Sequence, residues 1–112
     1  MNLPNVHVAI VERGKIVEYL LNAAHPDNGG KAPFFIALGF EADNWETLAA
    51  AFRQMALISK ATQNMETIHG KKYIVDGAIE TPVGKMPVVR GIWIIDTGED
   101  VPRLVTAYPY EG

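Results

Sequence analysis

The chain has 112 residues, no cysteine, 48% hydrophobic side chains and a formal charge of −3 from 10 basic and 13 acidic residues. That length predicts one domain over 1–112, with roughly 6,000 Å² exposed after folding, about a third of the extended chain's surface. The composition excludes a disordered tail, a collagen-like chain, a disulfide scaffold, a zinc ribbon and a cysteine nucleophile. The apolar runs are too short to span a membrane. The opening Met1 to Asn5 lacks the basic start and apolar stretch of a signal peptide, so the cytoplasm is the expected location. Residues 1–60 carry five basic and six acidic side chains, and residues 61–112 carry five and seven. Such a balance predicts no strong non-specific grip on nucleic acid, leaving room for a local cationic pocket.

Periodicity changes along the chain. Up to about residue 60 the apolar residues recur at helical spacing; beyond it they alternate as in strands. Val6 to Val11 reads as a short strand or a buried lead-in. A first helix is predicted over about Glu12 to Asn22, with Ile16, Tyr19 and Leu20 on one face and Gly14 weakening it. His25-Pro26-Asp27-Asn28-Gly29-Gly30 is a loop, because proline fixes one torsion and the glycines permit positive φ. A short helix from about Lys31 to Leu38 ends at Gly39 as its C′ residue, with Pro33 tolerated in the first turn. Asp43 and Glu46 have capping-box spacing for a third helix reaching about Ser59. Its stripe is Trp45, Leu48, Phe52, Met55 and Ala56.

Four strands follow. The first covers Thr62 to Ile68 and turns at His69-Gly70. The second starts at Lys71 and contains Tyr73-Ile74-Val75, with Gly77 read as a bulge. The third covers Met86 to Asp96 and the fourth Arg103 to Tyr108. Short loops between successive strands predict an antiparallel meander. The fold class is therefore α+β: about three N-terminal helices (1–60) packed on one face of a four-stranded antiparallel sheet (61–112). Tyr73, Trp93 and the open face of that sheet are expected to leave apolar surface, which points to a homodimer.

Strand parity sorts the candidate functional residues. Leu104, Thr106 and Tyr108 share one face of the last strand, away from Arg103, Val105 and Ala107. The small Val105 and Ala107 suit contact with helices, leaving Thr106 and Tyr108 on the uncovered face with Arg90 as neighbour. Arg90 interrupts a Val/Ile strand, where a charge is costly unless paired or solvated. It has two readings: an anion contact through its planar fork, or a sheet arginine paired with Asp76, Glu80 or Glu66. His25, near Asp27 and Lys31, suits acid–base work with a lysine to stabilise negative charge. The other reading is a histidine and a solvated lysine at helix ends. His25, Asp27 and His69 lack metal-ligand spacing, so no metal and no cofactor is expected. Trp45 and Trp93 read as core anchors.

Two resemblances extend these readings. Tyr19-Leu20-Leu21-Asn22 followed by His25-Pro26-Asp27-Asn28-Gly29-Gly30-Lys31-Ala32, with the Pro102-Arg103-Leu104-Val105-Thr106-Ala107-Tyr108-Pro109 string, looks like an uncharacterised bacterial domain-of-unknown-function family. More distantly, helices followed by a meander ending in Thr-x-Tyr-Pro resemble the barnase–EndoU–colicin–RelE group of ribonuclease toxins. That resemblance implies metal-independent attack of a ribose 2′-hydroxyl on the RNA phosphate. Carried over, His25 is the general acid/base, and Lys31 and Arg90 bind the phosphate. Thr106 orients it and Tyr108 stacks on or hydrogen-bonds the substrate. The partners so implied are an RNA substrate and a cognate antitoxin. The other reading from the same residues is a non-catalytic protein-binding or structural module of a toxin–antitoxin-like or phage-related system.

Overall fold

The computed structural model of the chain describes residues 2–26 and 30–110. Four strands, β1 (Ala61–Thr67), β2 (Gly70–Ala78), β3 (Val88–Asp96) and β4 (Arg103–Pro109), form one antiparallel sheet in the order β1-β2-β3-β4. The meander arises as expected, because loops this short can only return a strand beside its predecessor. Two α-helices precede it, α1 (Lys31–Ala37) and α2 (Trp45–Ile58). The third expected helix is not a regular one. Residues Lys15–Leu20 form a π-helical segment, in which the Leu21 N–H reaches back five residues to the Ile16 carbonyl at 2.8 Å. This wider turn still buries Ile16 and Leu20, and leaves Tyr19 half-buried at the sheet's side.

The core lies between the helices and one face of the sheet. From α1 and α2 it takes Phe35, Leu48, Phe52 and Met55; from the sheet, Tyr73, Val75, Val89, Trp93, Leu104 and Ala107. Phe35 meets the rings of Phe40 and Phe52 edge to face, the arrangement that ring quadrupoles favour. The total exposed surface is 6214 Å². Trp93 is fully buried and Tyr73 nearly so, which overturns the expectation that they expose apolar surface for a homodimer. Trp45 packs only partly against the core.

Helix ends follow local rules unevenly. Gly39 sits at φ 94° just past α1, its N–H bonding the Ile36 carbonyl while that of Phe40 bonds the Phe35 carbonyl. This double closure is the Schellman arrangement the glycine predicted. The Asp43 capping box does not form. A 3₁₀ turn over Ala42–Asn44, closed by the Asn44 N–H on the Glu41 carbonyl, leads into α2 and takes Asp43 into the turn. The cap position falls on Asn44, whose side chain makes no capping bond.

Glycine in β2 also has a different cause from the one expected. Gly77 pairs in register with Val89, with no bulge. A Cβ there would collide with Ser59 Oγ and lie 2.9 Å from Met55 Cγ, so Gly77 lets the end of α2 approach the sheet. The register shifts lie in β1, between Ala61 and Gln63, and in β4. The register steps from Ile92↔Thr106 to Trp93↔Leu104, so Val105 has no partner on β3. This bulge breaks the expected parity: Leu104 joins Trp93 and Ala107 in the core, while Thr106 and Tyr108 point to the opposite face.

The N-terminal segment covers the start of the β4 edge. Ile10 forms a parallel bridge to Arg103, with its N–H on the Pro102 carbonyl and its carbonyl accepting from Leu104, both at 2.9 Å. Asn5 Nδ2 donates to the Asp100 carbonyl, tying the chain start to the β3–β4 turn. Across that turn, Arg103 Nε and Nη2 grip both oxygens of Asp96 at 2.7 and 3.0 Å. No helix among the described residues is long and apolar enough to cross a membrane.

Candidate functional site

The face of the sheet opposite the core carries Arg90 and Ile92 on β3 and Thr106 and Tyr108 on β4. Register places Arg90 directly across from Tyr108 and Ile92 across from Thr106. Thr106 and Tyr108 are two positions apart on one strand, ~6.6 Å along it, so the two pairs are neighbours on one surface. Asp76 joins them from β2, where it lies opposite Arg90.

Arg90 is held in a closed ion pair. Its Nε and Nη2 donate to the two carboxylate oxygens of Asp76 at 2.7 and 2.8 Å. Both side chains are mostly covered, with 17% and 15% of their surface exposed. The guanidinium carbon lies 3.9 Å from the centre of the Tyr110 ring. Fork geometry on a carboxylate and a flat face on an aromatic ring are what guanidinium does best. The hydrogen bond and charge of Asp76 push the Arg90 pKa above its ordinary value. Of the two readings of Arg90, its contacts are those of the paired arginine.

A second centre forms around Tyr19. Its phenol oxygen shares a 3.1 Å hydrogen bond with Thr106 Oγ1, bringing the π-helical segment onto β4. The His25 ring meets the Tyr19 ring edge to face, with centroids 5.1 Å apart. Lys15 Nζ lies 5.1 Å and Lys31 Nζ 5.5 Å from the centre of the same ring. Partial burial raises the Tyr19 pKa, but the Thr106 hydrogen bond and the neighbouring Lys31 and Lys15 ammonium groups outweigh it. The net shift is downward from the ordinary 10.0. The phenolate form is thus stabilised at a spot where two ammonium groups meet a hydroxyl.

Three of the five residues singled out from sequence, His25, Lys31 and Thr106, therefore gather about one ring. Arg90 and Tyr108 stand beside them on the same sheet face. Tyr19 itself was legible only as part of a buried helical face, and Tyr110 had no signal at all. Lys15 and Tyr19 are four apart, the spacing that stacks side chains along a helix, and that was the available clue. The loop residues Asp27, Asn28 and Gly29 lie outside the described residues; of the expected loop, His25, Pro26 and Gly30 are described, Gly30 at φ 84°. Among the described residues no group of three His, Asp or Glu side chains could hold a metal ion.

Fold and site together define a small α+β domain with a cationic, tyrosine-centred cluster where helical segment and final strand meet. The chain belongs to the family described as a domain of unknown function (DUF6883), which matches residues 2–111. No curated protein matches the chain. Among solved structures, it is similar to a chain of the contact-dependent growth inhibition toxin–immunity protein complex from Klebsiella pneumoniae 342. The identity is 20%, with 96% of this chain and 97% of that chain covered and a TM-score of 0.73. At that identity the likeness is one of fold.

Proposed function

We propose that this domain is a toxin-like, metal-independent endoribonuclease whose centre is the His25–Lys31–Tyr19–Thr106 cluster. The observation that carries this reading is the convergence of His25 and Lys31, from the two ends of one loop, with Thr106 of the last strand about the Tyr19 ring. Imidazole, ammonium and hydroxyl supply a proton-transfer group, a charge for a phosphoryl oxygen and an orienting donor. His25 takes the proton of the ribose 2′-hydroxyl as it attacks phosphorus. Lys31 balances the charge gathering on the non-bridging oxygens, and Thr106 fixes the phosphate. Arg90, engaged by Asp76, acts beside the reacting centre, and Tyr108 offers a ring on which a base can stack. The fold likeness to a chain from a toxin–immunity complex supports the toxin-like part of the reading. It also favours a small protein as natural partner.

The test is cleavage of a mixed RNA in EDTA by wild type and His25→Ala. Cleavage abolished in the variant, with an unchanged circular dichroism spectrum, supports the reading. Cleavage equal in both, or none by wild type, ends it.

A second reading, a protein-docking module, is favoured by an open groove of about 1160 Å³ between α2 and the β2–β3 connection. Glu41, Glu46 and Glu80 line it beside the apolar Met55, Ile58 and Met86. On this reading a cationic partner surface binds there. Ile58→Lys and Met86→Lys, which set like charge against a cationic partner, would then release it while leaving the Tyr19 cluster intact.

A further inference from the structure

Cleavage of a phosphodiester by an internal hydroxyl needs two proton transfers. One group removes the proton of the attacking 2′-oxygen, and another delivers a proton to the departing 5′-oxygen. The reading above gives only the first of these a residue, His25. Lysine and threonine are poor candidates for the second, since one serves as a fixed charge and the other is too weak an acid. The remaining ionisable group at the centre of the cluster is the phenol of Tyr19.

We propose that Tyr19 is the general acid of the reaction, donating its phenolic proton to the 5′-oxygen leaving group. The inference rests on the ribonuclease reading and assigns the residue that completes it. His25 meets the Tyr19 ring at 5.1 Å between centroids, so acid and base stand on adjacent parts of one site. The phenol oxygen is directed at Thr106 on the sheet, 3.1 Å away, so its position is fixed from both sides. Lys31 and Lys15 lie within 5.5 Å of the ring centre, on charges that favour loss of the phenolic proton. The titratable groups facing the phenol are thus Lys15 from its own segment, His25 from the following loop and Lys31 from α1.

The electron count closes without any further reagent. The 2′-oxygen forms a bond to phosphorus as its proton passes to the His25 imidazole. The bond between phosphorus and the 5′-oxygen breaks, its electron pair stays on that oxygen, and the Tyr19 proton joins it. A 2′,3′-cyclic phosphate and a free 5′-hydroxyl result. Tyr19 is left as phenolate opposite imidazolium, and proton exchange with water restores both.

The assignment predicts a dependence on leaving group. An alkoxide needs a proton to depart; 4-nitrophenolate does not. Wild type and Tyr19→Phe are compared on mixed RNA and on uridine 3′-(4-nitrophenyl phosphate), in EDTA. Phenylalanine keeps the ring against His25 and the lysines, and circular dichroism checks the fold. The expected result is a loss of about 10²–10⁴-fold on RNA with little change on the aryl ester. Equal losses on both substrates overturn the proposal, because they mark a structural or positioning role. So does a variant as fast as wild type on RNA. Wild type inactive on both substrates overturns the ribonuclease reading first and this assignment with it. Should Tyr19→Phe fail to fold, 3,5-difluorotyrosine at position 19 replaces it. A more acidic phenol at that position moves the alkaline limb of RNA cleavage to lower pH, and an unmoved limb rejects the assignment.

Discussion

Two centres meet the last strand, one through Tyr108 and one through Thr106, and they are built on opposite principles. At Arg90 the charge is matched: one carboxylate takes two donors of the guanidinium, and an aromatic ring covers its face. At Tyr19 two ammonium groups and an imidazole surround a phenol, and the charges acting on that phenol are both positive. A matched pair holds neighbouring strands together through both of its hydrogen bonds. Ammonium groups gathered about a weak acid favour its ionised form. The difference teaches that an arginine placed oddly in an apolar strand can be taken up by its own sheet, an outcome that strand register decides and spacing along the chain does not.

The comparison can be broken most sharply by activity. His25→Ala is expected to lower RNA cleavage by about 10²–10⁴-fold, and Lys31→Ala is expected to lower it more than Arg90→Ala does. Initial rates on a fluorescent RNA at matched concentration give the order; Arg90→Ala as the worst variant would reverse the roles of the two centres.

Stability separates them next. Gly77→Ala, on the core face behind Asp76, forces a methyl group into Ser59 and Met55 and is expected to cost about 1–3 kcal/mol in urea unfolding. Asp76→Ala leaves a mostly covered guanidinium without its partner, and is expected to lower the urea midpoint more than Asp96→Ala. The Arg103–Asp96 pair is the more exposed of the two, so its loss matters less.

The smallest effects are titrations. The alkaline absorbance titration of the tyrosines should begin at lower pH in wild type than in Tyr19→Phe, since the Tyr19 phenol lies below its ordinary range. At the acid end, the Arg103 hydrogen bond and charge hold the Asp96 carboxyl below its ordinary value. A depressed carboxyl pKa contributes stability above the unfolded value, and that contribution disappears as the pH falls through the folded one. Acid melts should therefore show a smaller decline in Asp96→Asn than in wild type below about pH 4.

Much of the scaffold was legible because it depends on near neighbours. The stripe Leu48, Phe52, Met55, Ala56 buries one side of α2, and Gly39 closes α1 as its position implied. Short connections sufficed to order the four strands. Local reading failed where a partner distant in sequence decided the outcome. Gly77 looked like a bulge because its neighbour α2 is invisible from β2 alone. Asp43 looked like a cap because capping-box spacing cannot anticipate the 3₁₀ turn that precedes the helix. The regular helix expected over Glu12 to Asn22 became a π-helical segment, in a place where Tyr19 must reach β4.

By itself the sequence determined an α+β chain with its helical residues first and a meander after, since periodicity and loop length are local properties. It also put His25, Lys31, Arg90, Thr106 and Tyr108 forward as the residues with chemistry to offer. Only the tertiary structure decided which of them share a centre. Asp76 lies opposite Arg90 through β2–β3 register, and the Val105 bulge sets which face Thr106 occupies. Tyr19 then meets a residue 87 positions away. Contacts across that separation cost chain entropy and are repaid by packing elsewhere in the fold, so no window along the chain records them.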